Sequence, residues 1–145
     1  MHSHPGCKFM HLAKEYSVED LAAFHGHLGP YIVLGYRIGA YVRKNLCEDP
    51  FQLNATVYCS GNPPESCIAD GVQIGSGCTL GKRNISLIVG SPIRCEFSAD
   101  GRRVVVVPRP FARPADGEHY ALEIEKLAER MYYSPDEDLF DVTDA

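Results

Sequence analysis

The segment "FHGHLGPYIVLGYRIG", residues 24–39, sets His25 and His27 one residue apart and then breaks the chain with Gly29 and Pro30. A second run, "CSGNPPESCIADGVQIGSGCTLGKRN" (59–84), holds Cys67, Asp70, Cys78 and Lys82. Imidazole nitrogen and thiolate sulfur are the usual ligands of zinc, at about 2.0–2.1 and 2.3 Å. His25, His27, Cys67 and Cys78 are therefore the candidate ligands of a divalent transition metal, zinc first. Three of them with water would make an open, catalytic-type site, and four would close it. Residues two apart on a helix point about 200° away from each other, so the histidines converge only where the backbone is extended or bent. Gly26 and Gly29–Pro30 supply the bends. On spacing alone, the same residues also read as two capping or core histidines and two buried thiols.

Ser66 reads as a helix cap, which places Cys67 in the first turn, where the positive helix end favours a thiolate. If Cys67 is not a ligand, it is the candidate nucleophile, with His25 or His27 as its base. Asp70, three residues on, either orients a histidine or accepts backbone N–H groups. Lys82 either stabilises an anion in the cleft or covers a turn. The candidate catalytic set is thus Cys67, His25, Lys82 and Asp70. "GSGCTLGK" is not a phosphate loop: Ser76 stands where the first glycine belongs, Arg83 follows Lys82 in place of Ser or Thr, and a strand follows rather than a helix. His2, His4, Cys7 and His11 offer a separate metal-binding start, against which stands a flexible segment over residues 1–14. Tyr31 and Tyr36 read as core or interface aromatics, and Cys47, Cys59 and Cys95 as packing residues.

The elements that must position these groups are read from periodicity. Ser17 and Asp20 make a capping box before an apolar helix face that begins at Leu21 and ends at Gly26. A second helix starts at Pro30 and runs to about Leu46. Gly35 and Gly39 share one face of it; each costs about 1 kcal/mol in a helix interior, so close packing by another helix or backbone must offset them. "LNATVYCS", "NISLIVG", "IRCEFS" and "RRVVVVP" read as strands, the last two joined by "ADG" as a hairpin. "GEHYALEIEKLAERMYY" reads as an amphipathic helix with Leu122, Leu127 and Met131 among its apolar positions. An acidic tail occupies 135–145. The order is not a clean βαβ alternation, so the expected class is α+β: one domain, residues 1–145, with helices packed on a mainly antiparallel sheet.

The chain has 145 residues and a formal charge of −5. That balance argues against a general nucleic-acid binder and against a polybasic membrane anchor. No apolar run reaches the roughly 20 residues needed to span a bilayer, and the N-terminus carries no secretory core. A cytoplasmic protein is expected, with its six cysteines mostly reduced.

"FHGHLGPYIVLGYRIG" followed by "PPESCIADGVQIGSGCTLGKRNI" resembles the FmdE family, the formylmethanofuran dehydrogenase component of that name. Its members look like FHGHL-x-P-x-x-x-LG-x-R-x-G, then SC-x-x-D-x-x-Q and GCT-x-GK-x-N. The likeness covers roughly residues 17–107 and, more loosely, the C-terminal helix. It implies an α+β core, a homodimer, and a cleft lined by the His-Gly-His and Ser-Cys segments. Asp70, Gln73 and Lys82 match motif positions in supporting roles. Many members carry Cys where Gly29 stands, and some carry a C-terminal zinc-binding domain that does not follow here. The Gly35–Gly39 face and the flank "PYIVLGY" suggest where a second copy would pack. Two functions fit. One is a small metal- or thiolate-dependent enzyme acting on a carbonyl or one-carbon unit of a small-molecule substrate. The other is a non-catalytic accessory or metal-holding component of a molybdenum or tungsten formylmethanofuran dehydrogenase-type complex.

Overall fold

The computed structural model describes residues 5–10 and 12–145; His2, His4 and His11 lie outside the described residues, and Cys7 is exposed. Helix α1 (Val18–His25) opens with the expected reciprocal cap: Ser17 Oγ accepts from the Asp20 N–H at 3.1 Å, and the Ser17 N–H donates to Asp20 Oδ2 at 2.9 Å. Helix α2 (Pro30–Asn45) carries proline in its first turn, where the ring removes only an N–H that had no helical partner. Strand β1 (Asn54–Cys59) leads through a 3₁₀ turn (Glu65–Cys67) into α3 (Ile68–Ser76) and then β2 (Ile85–Val89). The hairpin β3 (Arg94–Ala99) and β4 (Arg102–Pro108) turns on Asp100 and Gly101, both with positive φ, as a tight two-residue hairpin turn requires. Helix α4 (Tyr120–Tyr132), a single turn α5 (Asp136–Leu139) and β5 (Phe140–Asp144) complete the chain.

The sheet order is β2-β1-β3-β4-β5, with β1 and β2 parallel and every other pair antiparallel. The α+β class therefore stands, with one parallel pair bridged by α3. Alternate strand residues (Ala55, Val57, Cys59; Cys95, Phe97, Ala99; Val104, Val106) are buried in the hydrophobic core. Ile32, Val33, Leu34, Ile38 and Val42 of α2 share that core with Ile68 and Val72 of α3.

The acidic segment is not a tail. Leu139 and Phe140 are buried, and β5 pairs with β4 in the register Val104↔Asp144 and Val106↔Val142. Its alternation is short, its outward positions are Asp141 and Thr143, and Asp144 ends its inward face, which masks a strand pattern of period two. On α4 the inward stripe is Ile124, Leu127, Ala128 and Met131, whereas Leu122 lies half a turn away and is exposed.

The glycine face of α2 packs inside the chain, not against a second copy. Gly35 and Gly39 meet Gly71 and Gly75 of α3 backbone to backbone. A Cβ at Gly39 would stand 2.6 Å from the Ser76 nitrogen, and one at Gly75 would stand 2.8 Å from the Ala40 nitrogen. Contacts advance together along both helices, from Gly35 with Ile68 and Val72 to Gly39 with Gly75 and Ser76. The two helices thus run side by side in the same direction. Their N-terminal ends coincide, which brings the turn before Pro30 to the turn before Ile68.

Candidate metal centre

At that shared end, each group is placed by a local break. Gly26 closes α1 in the left-handed region, with φ of 102°, and its N–H donates back to the Ala22 carbonyl. A residue with a Cβ would be strained there, so the reversal that carries His27 away from the helix depends on glycine. Leu28 and Pro30 are buried and anchor the segment on both sides of Gly29. His27 is exposed, its ring lies 4.9 Å from that of His25 between centroids, and a Cβ at Gly29 would press on its Cε1 at 3.1 Å.

From the other segment, Cys67 and Asp70 project from the start of α3. His25 Nδ1 and Asp70 Oδ2 are 2.9 Å apart, with the histidine side chain 11 % exposed. One ligand atom from each of His25, Cys67 and Asp70 falls in a group whose members all lie within 4.8 Å of one another. Two metal bonds of about 2.0–2.3 Å span at most about 4.6 Å, so the group is close to the spacing one ion needs. Nitrogen, sulfur and oxygen donors together suit zinc or a neighbouring transition metal rather than magnesium or calcium.

A cavity of about 150 Å³ opens beside the group. His25, His27 and Cys67 line one side of it, and Tyr31, Arg113 and Tyr120 line another. Tyr31 packs edge-to-face on Phe111, at 5.3 Å between centroids. Sequence reading missed Arg113, Tyr120 and Ile124 and treated Tyr31 as packing. The only signal was an arginine held between prolines in "RPFARPADG".

Four expectations change. Ser66 does not cap α3: it lies inside the 3₁₀ turn, and Cys67 itself is the capping residue. The N–H groups of Ser66, Cys67 and Ile68 already donate to the Asn62, Pro64 and Glu65 carbonyls, so these three do not stand free to face the thiol. Burial, and secondly the Asp70 carboxylate, push the Cys67 thiol above its usual value in the metal-free chain, opposite to the thiolate expected from a helix start. Cys78 is not brought to the histidines. It is buried beyond the far end of α3, its Sγ 3.4 Å from the Leu53 carbonyl and its N–H 3.0 Å from Ser76 Oγ. Lys82 is also elsewhere: Nζ donates to Thr79 Oγ1 at 2.9 Å and lies 5.6 Å from the Phe51 ring centroid. Gln73, in the neighbouring motif, accepts the Leu80 N–H and so shapes that second turn.

A stretch of 69 residues is 35 % identical to a probable S-adenosyl-L-methionine-binding protein of Archaeoglobus fulgidus. The match covers 43 % of this chain and 18 % of that protein, so the chain spans well under two thirds of the relative's length. Residues 24–141 match the family described as FmdE, molybdenum formylmethanofuran dehydrogenase operon. With most of its length, and both halves of the His25–Cys67–Asp70 group, inside that match, this chain belongs to the FmdE family.

Proposed function

We propose that this FmdE-family chain is a metal-dependent protein that uses His25, Cys67 and Asp70 as one unit, most simply a small enzyme acting on a carbonyl or one-carbon group. The observation that carries the reading is the convergence of imidazole, thiol and carboxylate from two segments beside a cavity. Asp70 here orients His25 rather than binding the ion: it accepts from Nδ1–H at 2.9 Å, and the Nε2 lone pair is left available for coordination. Cys67 supplies sulfur after losing its proton, and the charge of a bound cation would offset the burial and the Asp70 charge that now hold the proton on. His27 stands beside His25 as a further ligand or a base. A bound divalent ion, zinc first, would polarise a substrate oxygen.

The cavity favours catalysis over mere metal storage, because storage sites are closed by protein ligands. The accessory reading, a component serving a molybdenum or tungsten formylmethanofuran dehydrogenase-type complex, is supported by the operon named in the family's description. All six cysteines are free, which suits the proposed cytoplasmic setting. Among the described residues no helix is long and apolar enough to cross a membrane.

A homodimer belongs to this reading, on a different surface from the one the glycines suggested. β2 is an edge strand with no charged residue, and Leu87, Ile88 and Val89 are exposed on it. Such an edge is a template for pairing with a second strand. Sedimentation at low micromolar concentration should give twice the chain mass, reduced to one by Leu87→Lys; a monomer in both would refute it. The metal reading is tested on protein purified without chelator: about one transition-metal ion per chain is expected, and a Co(II)-loaded sample should show a thiolate-to-cobalt absorption band. Protein that is metal-free and does not bind added Zn(II) or Co(II) would overturn it.

A further inference from the structure

The cavity's second wall has its own chemistry. Arg113 lies on the connector between β4 and α4, and its Nη2 donates to Tyr120 Oη at the cavity surface. Arg37, Arg94, Arg103 and Arg109 each pair with a carboxylate, and Arg43 is occupied by the Gly75 and Lys14 carbonyls. Arg113, like Arg83, Arg102 and Arg130, has no carboxylate partner among the described residues, and of these four it alone lines this cavity. Its charge reaches across that space: the Tyr31 phenol is pushed up first by burial and next by Glu65, and pulled down by Arg113. The floor is apolar, with Pro30, Ile32 and Ile124.

We propose that Arg113, seated by Tyr120, is the counter-ion for a short monocarboxylate whose alkyl end rests on Ile32 and Ile124 and whose body lies against the His25–Cys67 side. Three features point to this class. A guanidinium presents two parallel N–H groups that match a carboxylate, and one of its nitrogens is already fixed by the phenol. The volume of about 150 Å³ equals about five waters at roughly 30 Å³ each, which suits a group of four to six non-hydrogen atoms. The apolar floor favours one charge and a short chain over a dianion. The inference deepens the metal reading by naming a substrate class for the same cavity, but Arg113 is not part of the His25–Cys67–Asp70 group and can be judged without a metal.

Acetate and propionate are the probes, titrated into the metal-free and the Zn(II)-loaded chain and followed through the arginine Nε–H signals in ¹H–¹⁵N spectra. Saturable binding is expected, weakened tenfold or more by Arg113→Gln, less by Tyr120→Phe, and absent for neutral acetamide. Arg113 is exposed on the connector, so the variant should keep the wild-type circular dichroism and melting temperature. Equal affinity in wild type and Arg113→Gln, or acetamide binding as well as acetate, would overturn the proposal. If acetate binds only with Zn(II) present and ignores Arg113, the carboxylate is a metal ligand: this inference fails and the metal reading stands. If Zn(II) does not bind but acetate still depends on Arg113, the reverse holds.

Discussion

Cys67 and Cys78 lie in one continuous stretch of chain, at opposite ends of α3, and their surroundings make them different chemical objects. Cys67 is partly exposed at the helix start, beside Asp70 and His25, on a cavity. Cys78 is fully buried beyond the helix end, with its S–H on the Leu53 carbonyl and its N–H on a serine that itself bonds back to Val72. Nine helical residues separate the two ends, about 13 Å at 1.5 Å per residue. Spacing in the sequence placed four residues in one site. The helix, being rigid and longer than any ligand bond, divides them between a reactive end and a structural one.

The sharpest way to break this contrast is metal content. Replacing His25 and Cys67 together by Ala should take bound zinc from about one ion per chain to none, while Cys78→Ala should leave it unchanged. Elemental analysis decides, and zinc lost in Cys78→Ala would join the two ends again. Alkylation sharpens the same point kinetically. In the metal-free chain, Cys67 should react with iodoacetamide increasingly as pH rises past the ordinary thiol value, because burial and Asp70 hold it protonated below that. Cys78 should stay inert in the folded chain, exposed Cys7 should react first at pH 7, and zinc should protect Cys67 alone. Peptide mapping that finds Cys78 alkylated as fast as Cys67 would remove the distinction.

The helix contact offers a smaller, thermodynamic comparison. Gly71→Ala drives a methyl group into the α2 backbone near the Tyr36 nitrogen and should cost about 3 kcal/mol, at the upper end for overpacking. Gly81, in the Lys82 turn, has open space around it, so Gly81→Ala should change stability by less than about 0.5 kcal/mol. Urea titrations of the two variants measure both. The last effect, confined to alkaline pH, concerns a third thiol. Cys95 is fully buried and its pKa is pushed up to about 12 by burial, and further by Cys59. Above about pH 9 the unfolded chain releases that proton and the folded chain keeps it. Stability should therefore fall with rising pH by about 1.4 kcal/mol per unit from this group until pH nears 12. Cys95→Ala should remove that increment from the alkaline limb, and an unchanged slope would refute it.

Much of this was legible in the residues alone. The Ser17–Asp20 cap, Pro30 as a helix start and the Asp100–Gly101 hairpin are local devices that act through their own backbone, so residue type announces them. The convergence of His25 with Cys67 and Asp70 was legible only as a resemblance, because helix packing, which no local pattern encodes, decides it. Gly35 and Gly39 announced close packing but not its partner; Gly71 and Gly75 supplied it within the same chain. Arg113 and Tyr120 left no trace as site residues, since a connector's path depends on where α4 docks. β5 was hidden by its acids: Asp141 lies on its solvent side, where it pairs with Arg109, and Asp144 ends the inward face opposite Val104.

The glycine contact has an entropic consequence for binding at the helix starts. His25 and Cys67 are 42 residues apart, and closing a flexible loop of that length costs about 3 kcal/mol on the logarithmic scaling of chain entropy. Folding α2 onto α3 bears that cost before any ion arrives, because two backbones in contact have no rotamers through which their spacing can relax. An ion entering between the two starts meets a preorganised chelate, tighter by about a hundredfold than the same side chains would be on a chain free to open.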